Sequence, residues 1–133
     1  MSSEIPARTQ TIAIVEDDAS FNRALERLLK ASGFETRTFL SAEEFLASDS
    51  FESLACLILD INLPGISGFE LFDRLSMYDV HPPVIFITAT DEKTVRDHAS
   101  QISGNVCLGK PLVGAVLLQA LRAQVRRSES GRD

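Results

Sequence analysis

Residues 54–65, LACLILDINLPG, decide the fold of this chain. The first six are apolar, and a continuous apolar run closed by a Pro-Gly turn signal predicts a strand buried on both faces, as in a parallel sheet. Asp60 follows the run directly, so we expect its carboxylate where the chain leaves the sheet, at an exposed edge. Open parallel sheets bind ligands beyond the carboxyl ends of their strands, which makes this edge the candidate site.

Three further apolar runs end in polar residues: residues 12–15 in Glu16-Asp17-Asp18, residues 84–87 in Thr88, and residues 106–108 in Gly109-Lys110-Pro111. With a short strand at Thr36–Phe39, these runs alternate with five helix patterns. We therefore expect an α/β fold with a doubly wound, five-stranded parallel sheet, helices on both faces and right-handed crossovers. Acids, a hydroxyl and an ammonium then converge on one small site.

The helix patterns carry start and stop signals. Asp18 is expected to cap the first helix rather than bind metal, and Gly33 to end that helix. The segments Ser41–Glu44 and Ser67–Glu70 match the capping box that opens a helix. Residues 91–102 contain poor helix formers and predict a short, labile helix. The last helix follows Pro111, and its predicted apolar stripe is Val113, Val116, Leu117, Ala120, Leu121 and Val125.

Length, charge and cysteine content indicate what kind of protein this is. The 133 residues are most simply one domain, with 44% apolar and 24% charged residues and no apolar run long enough to span a membrane. The net charge of -6 argues against direct nucleic-acid binding. Cys56 and Cys107 fall on separate predicted interior strands; if one strand lies between these two, the cysteines are about 9.5 Å apart, too far for a disulfide. Free thiols and the absence of a secretory signal predict a cytoplasmic protein.

The residue types at the strand ends suit phosphoryl chemistry. Several carboxylates close together repel one another unless a cation lies among them, and an all-oxygen cluster favours Mg²⁺. An Asp60 oxygen could then attack phosphorus and become an acyl phosphate. Lys110 would balance the charge of the phosphoryl oxygens, and the Thr88 hydroxyl would donate a hydrogen bond to one of them.

Together, in this order and at strand ends, these pieces resemble the CheY-like receiver domain of bacterial response regulators, from about Thr11 to Val125. Residues 39–46 look most like receivers of the FixJ/LuxR type. The resemblance implies a flavodoxin-like sheet of order 2-1-3-4-5. It also implies that Asp60 is the phosphoacceptor and that Thr88 and Lys110 stabilise the phosphoryl group.

The same resemblance assigns the remaining site residues. Asp17 would bind Mg²⁺ directly, Glu16 would bind it through water, and Asp60 and the backbone carbonyl of Asn62 would complete the protein ligands. Asn62 and Thr90 would tune the lifetime of the phosphoryl group, and the Lys110-Pro111 peptide bond would be cis.

Cys107 occupies a position where family members often carry Tyr or Phe. With Thr88 it would form the switch position, and we expect the small thiol to weaken or reroute the switch. The alternative is that Cys107 is simply a small buried strand residue. Leu112 departs from the family in the same way, since Phe is more usual there.

The sequence therefore predicts a phosphorylation-switched receiver module of a two-component system, which is not an enzyme in the turnover sense. Residues 1–10 would be an N-terminal extension, 11–127 the receiver domain, and 128–133 a flexible tail or the start of a linker. The expected partners are a sensor histidine kinase or a histidine phosphotransfer protein, with a homodimer possible and no membrane.

Three alternatives stay open at this point. The chain could be a single-domain regulator or relay, or part of a longer regulator. It could be a pseudo-receiver that only binds proteins. A phosphatase with an aspartyl nucleophile would share the chemistry, but it would need an acid where this chain has Asn62.

Overall fold

A five-stranded parallel sheet in the order β2-β1-β3-β4-β5 organises the chain, as predicted. The computed structural model describes residues 10–48, 53–78, 82–89, 97–98 and 106–130. Residues 127–130 are described by their backbone alone. The strands are β1 (Thr11–Val15), β2 (Glu35–Phe39), β3 (Cys56–Asp60), β4 (Val84–Thr88) and β5 (Val106–Gly109). The helices among the described residues are α1 (Ala19–Ala31), α2 (Ala42–Ser48), α3 (Gly68–Leu75) and α4 (Gly114–Ser130).

Some expectations fall outside the described residues. These are Thr90, residues 1–9 of the expected N-terminal extension, and the helix expected at 91–102 apart from Asp97 and His98, which are helical. The helix α4 continues to Ser130, three residues beyond the expected end of the domain at 127. Ser and Glu are tolerated in helices, whereas Gly131 is the first strong helix breaker in the tail. None of the described helices is long and apolar enough to cross a membrane.

Alternation along the strands divides the core into two layers. On one face of the sheet, Ala13, Leu57 and Phe86 pack against α2 and α3. On the other face, Ile14 and Ile58 belong to the cluster that packs against α1 and α4. The central strands β3 and β4 are buried at every position, which explains why their sequences are continuous apolar runs.

The predicted helix signals are confirmed by hydrogen bonds. The Asp18 carboxylate accepts from the backbone N–H groups of Ser20 and Phe21 at the start of α1. The hydroxyls of Ser41 and Ser67 accept from the N–H groups three residues later. Just past α1, Gly33 has a φ of 96°, a conformation that favours glycine and stops the helix.

The predicted apolar stripe of the last helix was wrong at two positions. Val113 is 63% exposed and Val116 is 48% exposed, whereas Leu117, Leu121 and Val125 are buried. Val113 precedes the first helical residue, so helical periodicity does not apply to it. Val116 lies one residue before Leu117, about 100° away around the helix, and this turns it from the sheet.

The cysteines do not form a disulfide, as predicted, but β5 is an edge strand rather than an interior one. Cys56 is fully buried in the layer beneath α1 and α4. Cys107 is half-buried and packs against the opposite layer.

Gly68 brings the start of α3 directly against the end of β3. A Cβ at this position would lie 2.3 Å from the carbonyl oxygen of Asp60 and 2.8 Å from the Cα of Ile61. The Gly68 N–H also donates to the carbonyl of Ile61 at 3.0 Å. Only glycine allows this approach. The start of α3 is therefore packed directly against the strand end that carries Asp60.

We predict that Gly68→Ala destabilises the fold by roughly 1–3 kcal/mol, because the added methyl group must displace backbone. Gly114→Ala is the matched control, since its Cβ would lie 3.5 Å from a Leu28 methyl group, an ordinary contact. That control should be neutral or slightly stabilising. Urea unfolding of the three proteins measures both effects, and equal stabilities would show that the close approach is not a constraint.

Candidate functional site

The carboxyl ends of four neighbouring strands carry the candidate site. In the register of the sheet, Val15 of β1 pairs with Leu59 of β3, so Glu16 and Asp60 follow on adjacent strands. On the other side, Thr88 of β4 pairs with Gly109 of β5, and Lys110 is the next residue. The parallel register thus assembles side chains from distant parts of the sequence at one edge.

Asp60 is the last residue of β3 and is only 3% exposed. The expectation of an exposed edge was therefore wrong for this side chain, because the segments around it cover the strand end. Its Oδ1 accepts from the backbone N–H of Asn62 at 2.9 Å. Its Oδ2 lies 3.5 Å from Lys110 Nζ, and this contact and the hydrogen bond from Asn62 orient the carboxylate.

The three consecutive acids after β1 have different surroundings. Glu16 is fully buried, with Oε1 2.7 Å from Lys110 Nζ and Oε2 accepting from the Asp18 N–H at 3.0 Å. Asp17 is exposed. The Asp18 side chain caps α1 instead of facing the cluster, as predicted.

Carboxylate oxygens of Glu16, Asp17 and Asp60 all lie within 4.8 Å of one another. Such a set of hard oxygen donors fits Mg²⁺, which takes oxygen ligands and keeps several waters. The exposed position of Asp17 leaves one side of the cluster open to solvent. The arrangement can therefore hold a small divalent cation.

Electrostatics in the site follow from crowding and burial. Burial raises the pKa of Glu16 to about 7, and the nearby charge of Asp60 adds to this rise, against the opposing contacts with Lys110 and the Asp18 N–H. Burial acts to lower the pKa of Lys110, but the contacts with Glu16 and Asp60 outweigh it and raise that pKa. Lys110 therefore stays charged while it bridges two carboxylates.

Buried Thr88 and exposed Asn62 contact each other within the site. The Thr88 hydroxyl belongs to a fully buried residue and accepts a hydrogen bond from the Asn62 side-chain amide at 3.3 Å. The Thr88 carbonyl accepts from the Lys110 N–H at 2.8 Å, and the Lys110-Pro111 peptide bond is cis. The expected switch residues, Thr88 and Cys107, lie on neighbouring strands β4 and β5.

Two residues near the site were not singled out from the sequence. The buried side chain of Asn22 donates to the carbonyl oxygens of Glu16 and Phe39, each at 3.0 Å, and so joins α1 to the ends of β1 and β2. The Phe21 ring lies beneath Lys110, with Nζ 4.6 Å from the ring centroid. Helical periodicity marks Phe21 only as an apolar residue, and it marks Asn22 as part of a polar face.

An aromatic cluster covers the sheet on the side of α3. Phe86 of β4 lies 5.6 Å, between ring centroids, from both Phe69 and Phe72. The Phe69 ring also meets His98 edge-on at 4.8 Å. Cys107 pairs with Phe86 across the sheet, so its side chain belongs to the same layer.

Comparison with known proteins gives a consistent result. The family model for the response regulator receiver domain matches residues 12–122. Nodulation protein W of Bradyrhizobium diazoefficiens is 35% identical over 128 residues, which are 96% of this chain and 56% of that protein. The transcriptional regulatory protein FixJ of Azorhizobium caulinodans is 31% identical over 122 residues, 91% of this chain and 58% of that protein. The chain thus spans a little over half the length of these curated relatives.

A solved structure extends the likeness to a protein of similar size. The crystal structure of a response regulator receiver protein from Burkholderia phymatum is 34% identical in sequence and superposes with a TM-score of 0.75. The match covers 89% of this chain and 96% of that chain.

The pKa of Glu16 yields a prediction for the metal-free protein. Between pH 4.5 and about 7 the folded state binds more protons at Glu16 than the unfolded state does, so stability falls as the pH rises through this window. Glu16→Gln removes this loss. We therefore expect the free energy of unfolding of the mutant, minus that of wild type, to be about 1–3 kcal/mol larger at pH 8 than at pH 5.

Chemical denaturation in the presence of a chelator measures this difference. The control is Glu70→Gln, which removes an exposed carboxylate from an ion pair with Arg74 on α3. For each mutant, the stability relative to wild type is compared at the two pH values. If this difference changes no more for Glu16→Gln than for Glu70→Gln, the pKa of Glu16 is not raised.

Proposed function

Because the chain belongs to the receiver domains of two-component response regulators, we propose that it is a phosphorylation switch whose phosphoacceptor is Asp60. The donor would be a phosphohistidine on a sensor histidine kinase or on a histidine phosphotransfer protein. The observation that carries the proposal is the position of the Asp60 carboxylate, with one oxygen held by the Asn62 N–H and the other facing the Lys110 ammonium.

In the proposed reaction, an Asp60 oxygen forms a bond to phosphorus while the bond from phosphorus to the donor imidazole breaks. The imidazole nitrogen keeps the electron pair and takes up a proton. The backbone hydrogen bond to Oδ1 restricts rotation of the carboxylate, so less orientational freedom is lost on the way to the transition state. Hydrolysis of the acyl phosphate would return the switch to its resting state.

Glu16, Asp17, Asp60 and the backbone carbonyl of Asn62 are the proposed ligands of Mg²⁺. When bound, the ion would neutralise negative charge on the phosphoryl oxygens. Asp17 is the exposed member of the cluster, and we assign it direct coordination. Buried Glu16, which already contacts Lys110 and the Asp18 N–H, would act through water.

Lys110 and Thr88 are the proposed partners of the phosphoryl group. The Lys110 side chain is 21% exposed, so its ammonium is accessible to the site while it contacts both buried carboxylates. The Thr88 hydroxyl, which accepts a hydrogen bond from the Asn62 amide, would donate its own hydrogen to a phosphoryl oxygen. This donation would couple the site to β4, and Cys107 on β5 would be the neighbouring switch position.

Asn62 and Thr90 are proposed to tune the lifetime of the acyl phosphate. The Asn62 side chain is exposed at the mouth of the site and touches Thr88, so it can restrict the approach of water. The pseudo-receiver alternative is not favoured, since the acids, the threonine and the lysine are all present at the strand ends. Homodimer formation and the cytoplasm as the location remain parts of the same proposal.

We predict that Asp60→Asn abolishes phosphorylation by acetyl phosphate and Mg²⁺, because the amide is not a nucleophile. Mass spectrometry of the intact protein should find an adduct of about 80 Da, the mass of HPO₃, on wild type only. Asp73→Asn on α3 is the matched control, since it removes an exposed carboxylate away from the strand ends and should leave labelling unchanged. Labelling of Asp60→Asn to the wild-type level would overturn the assignment.

Mg²⁺ should bind weakly, because an ion that retains several waters gains little from a solvent-open site. We expect Asp17→Ala to cost more affinity than Glu16→Gln, since a directly bound ligand contributes more than one that acts through water. Calorimetric or NMR titration measures the order. Equal affinities in the two mutants would contradict the assigned roles.

A further inference from the structure

Among the described residues, two carboxylates and one aromatic ring lie close to the Lys110 ammonium. Glu16 Oε1 lies 2.7 Å from Nζ, Asp60 Oδ2 lies 3.5 Å away, and the Phe21 ring centroid lies 4.6 Å away. The first two are carboxylates of the site. The third is an aromatic ring from α1, which has no role in the chemistry assigned so far.

Phe21 is restrained at its backbone and at its ring. The Asp18 carboxylate accepts from the Phe21 N–H at 3.2 Å, so the cap of α1 fixes the backbone at this position. The ring is half-buried and packs against the core layer beneath α1 and α4. Phe21 is therefore a fixed surface, whereas Lys110 reaches the site on a flexible four-carbon stem.

We propose that Phe21 is a positioning residue for phosphoryl transfer, whose ring face holds the Lys110 ammonium between Glu16 and Asp60. The proposal rests on the proposed function, in which Lys110 balances the charge of the phosphoryl group. A cation over an aromatic face is attracted by the negative potential of the ring, and this attraction is strengthened when water is partly excluded. An aliphatic side chain of similar size would fill the space without this attraction.

The contact between the Lys110 ammonium and the Phe21 ring does not have to break during phosphoryl transfer. When a phosphoryl group engages Lys110 and Asp60, the two carboxylate contacts of the ammonium must be rearranged. The contact with the Phe21 ring face does not involve the carboxylates, so it can persist while they rearrange. The ammonium would then meet the incoming charge already in position, which lowers the reorganisation required in the transition state.

The first test measures the position of Lys110 by NMR in metal-free protein with labelled lysine. Protons above a ring face shift upfield, so the ε-methylene signal of Lys110 should lie upfield in wild type and in Phe21→Tyr. It should return toward the ordinary lysine position in Phe21→Leu. Phe34→Leu, which removes another half-buried ring from the same core layer, should keep the upfield signal.

Phe34 is a suitable control because it precedes β2 and lies at the opposite end of the strands from Lys110. An ordinary Lys110 signal in wild type would overturn the proposal. The proposal also fails if Phe34→Leu removes the upfield shift as fully as Phe21→Leu does, since the change would then come from general loosening of the core.

The second test measures the rate of phosphorylation by acetyl phosphate at saturating Mg²⁺. Phe21→Leu should slow the reaction roughly two- to tenfold, the range expected from losing an attraction of this kind. Phe21→Tyr keeps the ring face and should stay close to wild type, as should Phe34→Leu. A rate for Phe21→Leu equal to wild type, or an equal loss in Phe34→Leu, would overturn the positioning role.

Failure of the inference is distinguishable from failure of the proposed function. If wild type takes up no phosphoryl group at Asp60, the proposed function fails, and the positioning role for phosphoryl transfer fails with it. If wild type is phosphorylated and Phe21→Leu matches it in rate, the proposed function stands and the role of Phe21 is refuted.

Discussion

The contact of the Lys110 ammonium with two buried carboxylates is the interaction on which the rest of the site depends. Glu16 and Asp60 are almost completely removed from water, and buried charges are costly unless they are paired. One ammonium cannot fully compensate two carboxylates with Asp17 close by, so burial and repulsion still raise the pKa of Glu16 to about 7. The fold therefore keeps an excess of negative charge at a solvent-accessible edge. That excess is what a divalent cation would relieve.

The sheet and its helix caps supply the rigidity that this cluster requires. Parallel register fixes the spacing of the strand ends, Asn22 ties α1 to the carbonyls at the ends of β1 and β2, and Gly68 seats α3 against Asp60. These contacts involve backbone groups and the uncharged Asn22 amide, so they hold the strand ends whatever the charge state of the acidic and basic side chains. A change at Asp60 would accordingly be felt at the start of α3 as well as at Thr88.

Much of this arrangement could be predicted from the sequence, because each part has a local signal. Apolar runs that end in acids, a threonine and a lysine mark the strand ends, and three short polar residues mark the helix caps. The contacts of Phe21 and Asn22 could not be predicted, since they depend on how α1 packs against the sheet. Helical periodicity also predicted burial wrongly for Val113 and Val116. An apolar residue at the margin of a helical stripe can lie on either side of the boundary between the packed and the exposed surface of the helix. Gly68 did carry a signal, since glycine is unfavourable in the first turns of a helix unless a close approach requires it.

The aromatic cluster alters how the small side chain at Cys107 can be understood. The expectation that the switch is weakened or rerouted rests on the small size of the thiol at position 107, and the packing around Thr88 bears on which route is left. Phe86 lies two residues before Thr88 on β4 and packs against Phe69, the residue that follows Gly68. Displacement of Thr88 toward a phosphoryl group would disturb β4, and the Phe86 ring would carry that disturbance to Phe69 and on to His98. If Asp60 is phosphorylated as proposed, aromatic packing between β4 and α3 would offer a route for the signal that does not need a ring at position 107. On this route, the identity of residue 107 matters less than the packing of Phe69.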